Sequence, residues 1–206
     1  MTVLSAGGPV IWGIIGLSVL AAAIVLERLW FFRSASTDPE KLELALGKHL
    51  YHGEKEEAMN LVNEKESSLH RVFRVAIMHW GADSEALKSL AEQEVRRELF
   101  RWERGLGFLS VIARVAPLLG LLGTVLGMID VFRNLPAMSG ANMHVMAEGI
   151  WKALLTTVAG LTVAVPVILC HAYLVSRVER NEEAMWRGVD FLLREKMLGS
   201  DRVNRS

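Results

Sequence analysis

Few side chains in this 206-residue chain could do chemistry, and those that stand out are hydroxyls in apolar surroundings. Thr124 lies in Ala116-Pro117-Leu118-Leu119-Gly120-Leu121-Leu122-Gly123-Thr124-Val125-Leu126-Gly127-Met128. Thr156 and Thr157 lie in Ala153-Leu154-Leu155-Thr156-Thr157-Val158-Ala159-Gly160-Leu161, which runs on to Ala164-Val165-Pro166. A polar group in such a stretch is costly unless it finds a partner, and a threonine can donate or accept a hydrogen bond without a fixed charge. Each hydroxyl therefore has two readings: it faces a functional partner, or it bonds a carbonyl one turn back in its own helix. Glu148 and Lys152 are four apart, the spacing of an intrahelical ion pair. They are either polar groups working in the span or interfacial residues from which Lys152 snorkels toward the headgroups. Asp130 has the same interfacial alternative.

The remaining candidates for chemistry are weak. No Ser/His/Asp arrangement and no pair of catalytic carboxylates falls in one plausible pocket, so no enzyme is expected. Gly120-Leu121-Leu122-Gly123 sits inside an apolar helix and reads as packing, not as a phosphate loop. His49, His52 and His70 are spaced by three and then eighteen, with no cysteine or acidic companion, which argues against a metal site. Cys170 is the only cysteine and excludes an internal disulfide. No cofactor is implied.

The elements that would hold the threonines are membrane helices. Half of the residues (51%) are hydrophobic and mean hydropathy is +0.29, yet 22% are charged. These coexist because the charge is segregated: three apolar stretches hold almost none of it, the composition of an integral membrane protein with a sizeable polar portion. Net charge is zero, so nucleic acid is not an expected partner. Along the second stretch, Ala116 with Gly120, Gly120 with Thr124 and Gly123 with Gly127 are four apart; along the third, so are Thr156, Gly160 and Ala164, and Ala153 with Thr157. Such stripes of small residues let membrane helices approach backbone to backbone. Pro117 and Pro166 sit within the two stripes, tolerated where neighbours resatisfy the freed carbonyl.

In chain order, residues 1–9 are an uncharged outer N-terminus and 10–32 the first transmembrane helix, with Trp30, Phe31 and Phe32 at the interface. The basic end of that helix marks the cytoplasmic side, leaving the N-terminus outside. Residues 33–107 form a cytoplasmic helical region. There Asp38 and Pro39 start a helix, Gly53 separates two short helices over Leu42 to Leu69, and Asp83 or Ser84 caps the next. From Glu85 to Phe132 the pattern predicts one long helix, cytoplasmic in its first half and membrane-spanning over 108–132, with Arg114 snorkelling at the boundary. An outer loop follows over 133–144, then a third span over 145–176 and a cytoplasmic helical tail over 177–206 that ends at Gly199-Ser200. The fold class is all-α: three transmembrane helices, two of them long and extending into the cytoplasm as a helical bundle.

The two motifs, in their order and spacing, resemble the MotA/TolQ/ExbB proton-channel family, with the likeness nearest to its ExbB branch. The resemblance implies a homopentamer in the bacterial inner membrane, surrounded by lipid, with a periplasmic N-terminus and a cytoplasmic C-terminus. Its second and third helices line a pore that holds an ExbD-like single-span protein, which supplies the protonatable aspartate. Proton flow then drives rotation, and a TonB-like protein carries the work to outer-membrane receptors. The family's pore-lining hydroxyls map to Thr124 and Thr157, with Thr156 adjacent, so that Thr124 faces Thr157 across the space of the partner helix. Many members carry a glutamate where this chain has Lys152; Glu148 either takes over part of that acidic role or the role is dispensable here. A TolQ-like subunit for outer-membrane integrity and division, and a non-conducting membrane scaffold, are the alternatives. A solute transporter would usually need more spans.

Overall fold

A computed structural model describes residues 8–35, 37–134 and 143–203. The described residues form seven helices and no strand: α1 (Gly8–Ala35), α2 (Pro39–His52), α3 (Lys55–Asn63), α4 (Ser68–Met78), α5 (Ser84–Glu103), α6 (Leu106–Asn134) and α7 (Met143–Val203). The protein is an all-α integral membrane protein. Three helical stretches are long and apolar enough to cross a membrane: Gly8–Arg33, Ser84–Arg133 and Met146–Leu198. The chain divides into two compact units, 1–28 with 105–174 and 29–104 with 175–206.

The first unit is apolar. Ile11, Ile14 and Ala21 of α1, Leu109 and Ala116 of α6, and Ala153, Ala164 and Leu174 of α7 are buried. Much of the rest is not: Leu118, Leu121, Ile129, Val158, Val165 and Leu169 all stand open on a single chain. Side chains of this kind are stable facing lipid or further helices and unfavourable in water. Arg28 is buried near the end of α1, with its Nε 2.5 Å from the Glu27 carboxylate.

The second unit is an amphipathic bundle. Leu46, Val62, Phe73, Ile77, Leu87, Val95, Met185 and Leu192 form its centre. Ser67 caps α4, accepting from the His70 N–H, and Asp83 caps α5, accepting from the Ala86 N–H at 2.5 Å. Gly53 ends α2 in the left-handed conformation (φ +74°), the usual role of glycine after a helix. Asp38 stands at the start of α2 but makes no cap; its carboxylate pairs with Lys41 at 3.2 Å, which holds its pKa below the usual carboxylate range.

Three expectations are corrected. The long helix over Glu85 to Phe132 is broken: Arg104 is extended (ψ 128°) and Gly105 has φ +82°, a conformation that glycine adopts without strain. The stretch Leu42 to Leu69 enters three helices, not two, because Ser67 starts α4. The third long helix does not stop at Gly199-Ser200 but continues to Val203, since no left-handed residue stops it there. Of the aromatic residues at the end of α1, Phe32 is buried with its ring centroid 4.4 Å from that of Trp102, while Trp30 is 80% exposed. Of the outer loop over 133–144, Arg133 and Asn134 belong to α6, Met143 and His144 to α7, and residues 135–142 lie outside the described residues, as do 1–7 and 204–206.

Candidate functional site: the contact between α6 and α7

The contact forms where two stripes of small residues meet. A Cβ on Gly160 would lie 2.5 Å from the Ala116 carbonyl oxygen and 3.1 Å from the Gly120 Cα. A Cβ on Gly120 would lie 2.9 Å from the Thr156 carbonyl oxygen and 3.0 Å from the Thr157 Cα. Backbone therefore meets backbone, which only the missing side chains permit. Gly123 faces the Thr156 side chain, where a Cβ would collide with the hydroxyl oxygen, and a Cβ on Gly127 would lie 2.7 Å from the Ala153 Cβ. Gly149 extends the register against the Val131 side chain, a packing position that sequence reasoning missed although it stands four residues before Ala153. Ala164 is buried, Pro117 half-buried and Pro166 exposed, both prolines inside continuous helices.

The hydroxyls are placed by that contact. Thr157 Oγ1 donates to the Gly120 carbonyl at 3.0 Å. Thr156 Oγ1, 2% exposed, lies 2.7 Å from the Ala153 carbonyl in its own helix and 3.1 Å from the same Gly120 carbonyl. Thr124 Oγ1 donates to the Leu121 carbonyl of its own helix at 2.6 Å. Thr124 also lines an open groove along α6 with Val125, Met128, Ile129, Phe132 and Arg133. Two hydroxyls of α7 thus meet at one carbonyl of α6, and the third turns onto its own backbone. Inside an i→i−4 ladder the Gly120 carbonyl also serves the Thr124 N–H, which ties the three residues to one acceptor.

The charged pair lies toward the Met143 end of α7. Lys152 Nζ is 2.8 Å from Glu148 Oε1, with both side chains about two-fifths exposed (41% and 42%). At the start of α6, Arg114 is exposed and donates to Ser110 Oγ at 3.1 Å. The three histidines go to separate local partners: His49 to Glu54 at 2.8 Å, His52 to the Lys48 carbonyl at 2.8 Å, and His70 to Ser67 at 2.7 Å.

Three apolar spanning helices, two of them locked by small residues around buried and half-buried hydroxyls, define a membrane protein built to place hydrogen-bonding groups inside an apolar layer. A family model described as the MotA/TolQ/ExbB proton channel family matches residues 64–186, and the chain belongs to that family. It is similar to a putative biopolymer transport protein ExbB homolog of Methanothermobacter thermautotrophicus, 28% identical over 84% of this chain and 62% of that protein. It is similar to the putative biopolymer transport protein ExbB-like 3 of Synechocystis, 32% identical over 80% and 79% of the two chains. A Tol-Pal system protein TolQ of Haemophilus influenzae is 33% identical over 47% of this chain and 42% of that one. The matched region spans about three-fifths of the Methanothermobacter relative's length and less than half of the TolQ protein's.

Proposed function

We propose that this chain is the ExbB-like subunit of a proton-driven motor in the bacterial inner membrane. Copies of it, five in the arrangement its family resemblance implies, surround an ExbD-like single-span partner that brings the protonatable carboxyl. The work passes to a TonB-like protein for energised outer-membrane uptake. The N-terminus is periplasmic; the helical bundle of α2 to α5 and the end of α7 are cytoplasmic.

The observation that carries this reading is the meeting of Thr156 and Thr157 at the Gly120 carbonyl, inside a helix pair with no charged residue at that level. Hydroxyls so placed are neutral hydrogen-bonding groups in an apolar layer, suited to hand a proton along or to meet a partner's acid. The Glu148–Lys152 pair keeps opposite charges together near the outer end of α7, leaving the hydroxyl level uncharged. The TolQ relatives favour a second reading, a TolQ-like subunit for envelope integrity; complementation of strains lacking one or the other subunit separates the two.

The direct experiment is energy-dependent uptake in cells carrying Thr124→Val or Thr157→Val. Both variants should assemble with the single-span partner and fail in uptake. Normal uptake by both would remove the proton path from these residues and favour a non-conducting scaffold.

A further inference from the structure

The three hydroxyls share a property that their positions alone do not convey. A threonine hydroxyl has one proton and two lone pairs. A carbonyl oxygen only accepts, so each hydroxyl–carbonyl contact at the α6–α7 pair uses the hydroxyl's single proton. That proton goes to Leu121 for Thr124, at 2.6 Å, and to Gly120 for Thr157, at 3.0 Å. For Thr156 it goes to Ala153 at 2.7 Å, with Gly120 at 3.1 Å as a second acceptor. What remains for an incoming group is lone pairs. Thr124 and Thr157 are half-buried and keep part of their surface open, whereas Thr156 is buried against Gly123.

We infer that Thr124 and Thr157 present hydrogen-bond acceptors to the partner's acid and so favour its protonated form, while Thr156 positions the helix pair. The inference rests on the reading that a partner's carboxyl passes this wall. A protonated carboxylic acid donates one hydrogen bond and fits an acceptor. An ionised carboxylate only accepts, and here it would meet oxygen with oxygen until a threonine released its carbonyl and turned its proton outward. The wall therefore selects the neutral acid. The Gly120 carbonyl is the group that fixes the direction: it holds the Thr157 proton while serving the Thr124 N–H of its own helix.

The test uses the full chain in complex with its single-span partner, in lipid nanodiscs. The complex is labelled across a pH series with dicyclohexylcarbodiimide, which adds to protonated carboxylic acids. Peptide mass spectrometry reads the label on the partner's carboxyl separately from Asp130 and Glu148. Thr157→Val should lower the midpoint of partner labelling by about one pH unit, a roughly ten-fold fall in the ratio of protonated to ionised acid. Thr124→Val should move it the same way; Thr157→Ser, which keeps the hydroxyl, and Thr156→Val should leave it at the wild-type value. A midpoint that rises or stays put in both valine variants overturns the inference, because the hydroxyls would then donate to the carboxylate or not touch it. A wild-type complex with no pH-dependent label on any partner carboxyl overturns the underlying reading as well.

Discussion

The Thr157 hydroxyl donates to the Gly120 carbonyl at 3.0 Å, across a contact so close that a Cβ on Gly120 would lie 3.0 Å from the Thr157 Cα. The bond joins α7 to α6, yet its loss should be mild for folding. Hydrogen bonds between membrane helices contribute about 0.6 kcal/mol on average, because the unfolded chain in lipid also finds partners. The Gly120 carbonyl keeps its intrahelical N–H donor when the hydroxyl is gone. Thr124→Val, Thr156→Val and Thr157→Val should therefore each cost about 1 kcal/mol or less in reversible unfolding in detergent. A loss of uptake in such a variant reports function, not collapse. A much larger cost for Thr157→Val would make the hydroxyl a structural clamp.

The glycines of the same contact should be far less forgiving. At Gly160 the obstacles to a Cβ are the Ala116 carbonyl and the Gly120 backbone, none of which can rotate aside. Gly160→Ala must push the helices apart, at a cost of about 1–3 kcal/mol typical of overpacking. A Cβ on Gly16 of α1 would meet nothing within 4 Å, so Gly16→Ala should instead stabilise the helix by about 0.5–1 kcal/mol. Gly123 packs on Thr156 of its own chain, so Gly123→Leu should damage the single subunit's fold before it affects assembly. Thermal unfolding of the purified chain checks the ranking, and native mass spectrometry checks whether any assembled Gly123→Leu complex survives. Equal midpoints for Gly160→Ala and Gly16→Ala would contradict it.

Much of this contact was legible in the sequence. Residues four apart that are Gly, Ala or Thr announce a face, and the face is the one used: Gly120, Gly123 and Gly127 meet Ala153, Thr156 and Gly160. The direction of the hydroxyls was not legible, because spacing places a side chain on a face without saying which carbonyl takes its proton. The break at Gly105 was hidden for a related reason: an isolated glycine is tolerated within a helix, and only its φ of +82° marks a stop. Ser67 escaped notice as a cap because the residue three positions on is His70, not the glutamate or glutamine of a capping box. The pairing of Arg71 with Glu98, 27 residues away, lies beyond any local pattern.

That pair yields a prediction for the polar unit. The Glu98 side chain is fully buried and both its oxygens are used: Arg71 donates at 2.8 and 2.6 Å and Arg101 at 2.7 Å. Trp102, one residue after Arg101, donates its indole N–H to Ser68 at 2.8 Å, tying the same two helices again. Removing Arg71 leaves the buried Glu98 carboxylate with Arg101 as its remaining cation, so the cost should fall below the roughly 3–5 kcal/mol of a buried charge left with no partner, whereas replacing both members by apolar groups is often neutral. Arg71→Met should destabilise measurably, and Arg71→Met with Glu98→Leu should recover part of the loss. A double-mutant cycle on the unfolding of the purified chain measures this. Additive losses in the double variant would show that the pair itself contributes little.

The last prediction concerns acid. His70 is buried, with Nδ1 2.7 Å from the Ser67 hydroxyl that caps α4. Burial pushes its pKa below the ordinary 6.5, and the nearby Lys65 and Arg74 push the same way against Glu64 and Glu66. Because the unfolded chain takes up this proton more readily than the folded one, stability from His70 is complete above the unfolded value of 6.5 and is lost as pH falls through the lower folded value. Glu66 behaves separately. Arg74 and then Arg71 lower its pKa, so its contribution is present above 4.5 and disappears only at more acid pH. Unfolding midpoints measured from pH 8 downward at constant ionic strength should therefore start to fall near pH 6.5 in the wild type. His70→Gln, which keeps a hydrogen-bonding side chain and cannot titrate, should flatten that upper part of the curve and leave the more acid loss in place. An unchanged slope in His70→Gln would assign the upper transition to another group.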